Sequence, residues 1–227
     1  MKLSINFILF FFIFLVSIIL YLIYLYNEPI SKRFYNYIET FPNLEILKAN
    51  YSLIKSDVNN LEKKLWIDWA EKSLYDESKG MSWTVFPFYG FGIWIEKNCK
   101  LCPNIYKIIK NIPKLRTASL SKLGPQTKLT PHQGWANLSN YVLRCHFGIK
   151  VPDICTISVD NEEKQQKEGE IIVFDDSRTH SAENKNREKD RIVLIIDIER
   201  PSFVDFGDSP VNETTELLSL IKYFNYL

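Results

Sequence analysis

An all-β sandwich or barrel behind one long apolar helix is the fold class this sequence predicts. Three observations carry it: an uncharged apolar run at the amino terminus, a change at Met81 to short apolar and aromatic runs broken by Gly and Pro, and three histidines confined to the most strand-like part of the chain. At 227 residues there is room for that helix and one domain of ordinary size. A hydrophobic content of 46% excludes a disordered chain, and a net charge of +1 leaves no electrostatic footprint for nucleic acid.

Leu3 to Asn27 carries no charged residue and is rich in Ile, Leu and Phe. A bilayer takes roughly 20 apolar residues to cross, so residues 1–27 are expected to be a transmembrane anchor. A cleaved signal peptide is the rival, but its apolar core is usually about 7–15 residues with small residues after it. Here the run leads into Tyr21, Tyr24 and Tyr26, which suit the aromatic belt of a membrane interface. Lys2 on one side opposes Lys32 and Arg33 on the other, so the flanking charges do not fix an orientation. Sequons at Asn50, Asn137 and Asn212 are compatible with a lumenal body. The expectation is a single-pass, signal-anchored protein with its domain in the endoplasmic reticulum lumen or a similar compartment.

Residues 28–80 read as a juxtamembrane stalk and helical lead-in. Tyr51, Ile54, Val58, Leu61, Leu65 and Trp69 follow steps of three and four and share one helix face. A domain is expected over 81–204, with strands near 81–86, 91–96, 117–123, 141–148, 154–159, 170–175 and 191–198, and a short helix over 103–111. Residues 205–227 form a tail in which Leu217, Leu220, Ile221 and Phe224 predict a small amphipathic helix. Cys99-Lys-Leu-Cys102 has the spacing of half a zinc site or a redox pair, yet no second such pair completes a cluster. Two ordinary thiols or a local disulfide are the simpler readings.

The candidate chemistry lies at His132, His146 and His180. His132 falls in Leu129-Thr-Pro-His-Gln-Gly134, punctuated as a strand end or loop. His180 follows the hydrophobic strand Ile171–Phe174 and an acidic turn, and Arg191 opens another strand eleven residues later. An early His, a late His and an Arg beyond it is the order expected of a jelly-roll oxygenase. There two imidazoles hold Fe(II) with positions left open, and a guanidinium grips the far carboxylate of 2-oxoglutarate. Alternation places Arg144 and His146 on one strand face, with Tyr141, Leu143, Cys145 and Phe147 on the other. That polar face fits a solvated surface or an anion site inside a barrel.

Pro131-His-Gln-Gly134, Leu143-Arg-Cys-His-Phe-Gly148, Val151-Pro152, Gly169-Glu170 through Phe174-Asp-Asp-Ser177 to His180, then Arg191-Ile-Val-Leu194 and Asp197, resemble the aspartyl/asparaginyl β-hydroxylase domain in order and spacing, over roughly residues 81–202. The resemblance implies a mainly-β double-stranded β-helix, a jelly-roll or cupin-like fold with flanking helices. It makes His132 and His180 the iron ligands, Arg191 the arginine on the distal carboxylate of 2-oxoglutarate, Ser121 its assistant, and Arg144 and His146 the pair near the iron-side carboxylate. It implies Fe(II), 2-oxoglutarate and O₂, and hydroxylation of the β-carbon of Asp or Asn in a peptide or protein. Most such oxygenases carry an acid where Gly134 stands, whereas the family this chain resembles carries Gly there. By the same resemblance Asp175 and Asp176 are structural residues of a turn. Two alternatives stand beside this: a lipid-acyl or other small-molecule hydroxylase on the same domain, and a non-catalytic membrane-tethered binding module. The intact set of His132, His146, His180, Arg144 and Arg191 argues against the second.

Overall fold

A computed structural model describes residues 5–26 and 31–224, with side chains described at 10–21, 31–219, 221 and 222. The side chains of Lys2, Tyr24, Tyr26, Leu220 and Phe224, on which the sequence pattern drew, lie outside these. The chain divides into two units, Met1–Ser31 with Pro201–Asp205, and Lys32–Arg200 with Phe206–Leu227.

In the first unit Ile5–Tyr26 forms a 22-residue helix. Its described large apolar side chains, from Phe10 to Tyr21, are exposed. Among the described residues no helix is long and apolar enough to cross a membrane. The expected transmembrane anchor is therefore not supported by the described residues.

Among its described residues the second unit holds twelve strands: β1 Phe34–Tyr35, β2 Ile67–Asp68, β3 Trp83–Gly90, β4 Ile93–Trp94, β5 Leu115–Leu123, β6 Thr127–Lys128, β7 Val142–Lys150, β8 Cys155–Val159, β9 Glu162–Gln165, β10 Ile171–Phe174, β11 His180–Asn184 and β12 Arg191–Glu199. The large sheet runs β1-β10-β7-β12-β5-β3-β2 with β4 beside β3, and the small sheet runs β6-β11-β8-β9. From β5 to β12 the chain crosses between sheets at nearly every step, pausing only at the β8–β9 hairpin. That winding makes two antiparallel sheets into a jelly roll. Trp83, Val85, Leu123 and Phe174 of the large sheet share a core with Ile157, Val159 and Ala182 of the small one. Each full burial of this kind contributes roughly 1.5–3 kcal/mol.

β7 and β12 are buried along almost their whole length. Beside β7, Tyr51 packs edge-on to Phe147 and donates from its hydroxyl to the Ile149 carbonyl at 3.0 Å. It begins the helix Tyr51–Asn59, whose buried Asp57 accepts from Asn104 at 2.7 Å and from the Ile105 amide at 2.9 Å. An amide at the first turn of the helix Pro103–Ile109 is thereby satisfied, and the two helices are pinned together.

Several expectations shift. The apolar stripe proposed to reach Trp69 stops being helical at Asn59, and Ile67–Asp68 pairs with Thr84 and Val85 instead. Phe34–Tyr35 pairs with Val173 and Phe174, so the lead-in supplies strands as well as helix. The strand expected over 91–96 reduces to Ile93–Trp94, because Glu96–Leu101 turns helical. β9 and β11 carry no apolar alternation and escaped the pattern. Glu162–Gln165 is exposed at every position and is a strand through its pairing with β8. All four cysteines are buried free thiols, so Cys99 and Cys102 form no disulfide. Burial pushes Cys99 and Cys102 up to about 11 and 12.

Candidate active site

His132 lies ahead of β7 and His180 opens β11. Their backbones exchange hydrogen bonds of 2.9 and 2.8 Å, and this bridge sets the two rings 4.4 Å apart. Each Nδ1 faces a carbonyl two residues back, Thr130 at 2.7 Å and Arg178 at 2.9 Å. A carbonyl can only accept, so each Nδ1 carries the proton and each Nε2 keeps its lone pair. Burial holds both rings neutral, lowering His132 to about 3 and His180 to about 4. Oriented, neutral imidazoles fixed through their second nitrogen are what a metal ion requires.

His146 on β7 is wired in the opposite sense. Its Nδ1 meets Gln166 Nε2 at 3.1 Å and Arg191 Nη2 at 3.3 Å. The amide orientation follows from Arg191, whose Nε donates to Gln166 Oε1 at 2.8 Å. With donors on Nδ1, the proton of neutral His146 sits on Nε2 and makes that atom a donor. Arg191 is fully buried, and among the described residues no carboxylate pairs with it. Burial lowers it to about 10. A desolvated guanidinium with neutral partners is a receptor for an anion.

Arg144 has its charge answered twice. Its Nε and Nη2 donate to the two oxygens of Asp197 at 2.8 and 3.0 Å, and Nη1 pairs with Asp176. Thr117 donates to Asp197 at 2.6 Å. Asp176 Oδ1 also lies 3.3 Å from His180 Nε2, while Oδ2 is buried without a hydrogen bond. Burial is the main cause that raises this carboxyl above its ordinary value, and Arg144 opposes it.

The acidic turn therefore divides its labour. Asp175 organises it, accepting from the Ser177 amide at 3.0 Å, from the Ser177 hydroxyl, and from Arg200. Asp176, taken with it as structural from the resemblance, faces the histidine pair. Gly134 explains the fit, since a β-carbon there would stand 2.0 Å from Asp176 Oδ2. The space an acid two residues after His132 would fill is occupied by a carboxylate from the β10–β11 turn.

Part of this set lines a cleft of about 900 Å³, open mouth included. His132, Ser121, Arg144, Asp176 and Asp197 are in its lining, whereas His180, His146 and Arg191 lie behind it. Ser121 accepts from Trp83 Nε1 at 3.0 Å. Trp69 stacks on Trp83 at 4.7 Å and on Trp135 at 5.8 Å, building an aromatic wall. Gln166 went unrecognised in the sequence because nothing in the polar run Lys164–Lys167 distinguishes it; the tryptophans are separated by too many residues to read as one wall. Among the described residues no group of three or more His, Cys, Asp or Glu is set to hold a metal ion. The two Nε2 lone pairs fit a metal bound by two imidazoles with other positions open, and Asp176 stands beside them.

Fold and site together define a jelly-roll domain built around a pair of neighbouring histidines. A profile of the aspartyl/asparaginyl β-hydroxylases matches residues 48–201, and the chain belongs to that family of hydroxylases. It is 34% identical over 172 residues to the ornithine lipid ester-linked acyl 2-hydroxylase of Rhizobium tropici, covering 71% of this chain and 59% of that protein. It is 30% identical over 176 residues to the aspartate β-hydroxylase domain-containing protein 2 of Mus musculus, covering 70% of this chain and 48% of that one. The chain thus spans about half the length of these relatives. Among solved structures it is similar to an oxidoreductase of the 2OG-Fe(II) oxygenase family from Burkholderia pseudomallei, at 9% identity and a TM-score of 0.46, over 68% of this chain and 80% of that one. So distant a likeness decides nothing, and the fold rests on the strand pairing above.

Proposed function

We propose that this protein is an iron- and 2-oxoglutarate-dependent oxygenase that hydroxylates an unactivated carbon of an acyl-type apolar chain. The observation that carries the cosubstrate is Arg191, a buried cation with neutral partners, against Arg144, whose charge two aspartates neutralise. A dicarboxylate reaching the first would answer the one fully buried guanidinium that the described residues leave without a carboxylate. When bound, iron, 2-oxoglutarate and O₂ supply the oxidising power that places one oxygen atom into a C–H bond as 2-oxoglutarate leaves as succinate and CO₂.

The chain's own tasks are binding, orientation and exclusion of water. His132 and His180 would hold the metal through Nε2. Arg191 would hold the distal carboxylate with Ser121 near it, and His146 would donate from Nε2 towards the other end of the cosubstrate. Asp176, kept against Gly134 and Arg144, would stay beside the histidine pair.

The cleft supports the acyl chain as substrate. Its walls include Trp69, Leu74, Val85, Pro87, Tyr89 and Trp135, and its charged lining residues are Glu71, Arg144, Asp176 and Asp197. With Arg144 committed, an aspartyl side chain would meet carboxylates rather than a free cation. The acyl 2-hydroxylase among the relatives agrees with this. Asp or Asn β-hydroxylation of a peptide is the second reading, favoured by Gly134 in place of an acid. Attachment to a membrane through the uncharged helix Ile5–Tyr26, domain lumenal, is also proposed, and extraction by alkaline carbonate would refute it.

The test is succinate formation by the full chain from 2-oxoglutarate with Fe(II), O₂ and ascorbate, together with titration of 2-oxoglutarate into the Mn(II)-loaded protein. Binding with Fe-dependent succinate supports the oxygenase. A folded protein that binds neither Mn(II) nor 2-oxoglutarate sinks it.

A further inference from the structure

The hairpin that joins β3 to β4 turns through two residues, Phe91 and Gly92, between the paired Gly90 and Ile93. Both are left-handed, at φ of 53° and 80°. Two left-handed central residues are the signature of a type I′ turn, whose twist matches the strands it joins. Asn-Gly is the favoured pair there, because Asn tolerates the left-handed region and Gly is indifferent to it. A bulky aromatic at the first position is an outlier that lowers stability.

Core packing does not account for Phe91, a residue 44% exposed. The stem beneath it is secured without it. Tyr89 packs on Trp94 at 4.5 Å, and Trp94 meets Tyr106 edge-on at 5.2 Å. What Phe91 does touch is the cleft, where it joins Tyr89, Trp135, Leu138 and Leu217 in the lining. Residues held in strained conformations persist where function uses them.

We infer that Phe91 is a specificity-determining residue, held in a strained turn so that its ring receives the apolar chain of an acyl substrate at the mouth of the cleft. This rests on the acyl reading of the site proposed above. Phe91 shares the cleft lining with Trp69, Trp83 and Trp135, and contact with substrate covers apolar surface that the free protein exposes. The carboxylates of the cleft leave that contact to a neutral or cationic amphiphile.

The sign of two effects separates this from an accident of sequence. Phe91→Asn supplies the residue the turn prefers and removes the ring, and Phe91→Leu keeps apolar bulk. Full-length protein in phosphatidylcholine nanodiscs would be titrated with monooctanoylglycerol below its micellar concentration, in the presence of Mn(II) and 2-oxoglutarate, following tryptophan fluorescence. The expected result is that Phe91→Asn melts at a higher temperature than wild type, still binds 2-oxoglutarate, and binds monooctanoylglycerol at least about 10-fold more weakly, with Phe91→Leu between the two. Undiminished affinity in Phe91→Asn would overturn the role of Phe91. A wild-type protein that binds 2-oxoglutarate and ignores monooctanoylglycerol would overturn the acyl chain while leaving the oxygenase standing. Loss of 2-oxoglutarate binding in wild type would instead be the failure of the oxygenase reading itself.

Discussion

Two buried clusters sit near one another in the roll, and they treat charge and protons in opposite ways. Around His132 and His180 the ring Nδ1 atoms face carbonyls, and the neighbouring Arg144 is neutralised by Asp176 and Asp197. Around His146 the ring Nδ1 faces donors, and the neighbouring Arg191 has an amide and an imidazole for company. The first cluster offers lone pairs and is balanced internally. The second offers donors and carries an unanswered positive charge. The same residue types thus become a cation site and an anion site through whatever faces their second nitrogen or their guanidinium.

Removing one ring of the first cluster should have the largest effect. His132→Ala is expected to abolish Mn(II) binding, more than the roughly 10–100-fold cost of losing an outer partner, as read by electron paramagnetic resonance. Retained binding would dissolve the distinction between the clusters. In the second cluster, Arg191→Ala should weaken 2-oxoglutarate by about 2–5 kcal/mol while Mn(II) affinity is kept. Arg191→Lys should recover only part of this, because an ammonium lacks the fork. Calorimetry on both variants gives the answer, and equal loss of metal and cosubstrate would merge the two sites.

Gly134→Ala tests the fit of Asp176 against the first cluster. The added carbon would sit 2.0 Å from Oδ2, so the variant should lose about 1–3 kcal/mol of stability in urea. The smallest effect is on pH. His132 and His180 are lowered from 6.5 to about 3 and about 4, so the unfolded chain binds more protons below its own value of 6.5. Stability should then fall as pH drops through that window, by roughly 0.7 kcal/mol per histidine from pH 7 to 6. Asp176 is raised above 3.8 and works in the opposite sense, its contribution being lost as pH rises. Two histidines outweigh one carboxyl, and a flat urea stability profile between pH 7 and 5 would refute the assignment of neutral rings.

The histidines and Arg191 were singled out in the sequence by their order beside apolar strands together with the family resemblance, and the structure brings His132 to His180 and His146 to Arg191. Gly134 was legible as an anomaly, but its meaning was not, since the carboxylate filling its space comes from Asp176 in a turn 42 positions away. Asp175 and Asp176 are adjacent and chemically identical, and only tertiary contacts assign one to the turn and the other to the site. β7 and β12 were visible as apolar runs, whereas β9 and β11 are strands by partnership and not by composition. The helix expected to run on to Trp69 failed for a related reason: spacing shows which residues share a face but not where a neighbouring strand captures the chain.

β9 has one more effect. A sheet must end somewhere, and at an end the backbone offers unpaired amides and carbonyls to any extended chain that drifts past. Here the four-stranded sheet ends on Glu162, Glu163, Lys164 and Gln165, all facing water. A second molecule adding its own β9 would have to strip this row of exposed charged and polar side chains of solvent. The least strand-like sequence in the roll thereby helps keep crowded copies of this protein apart.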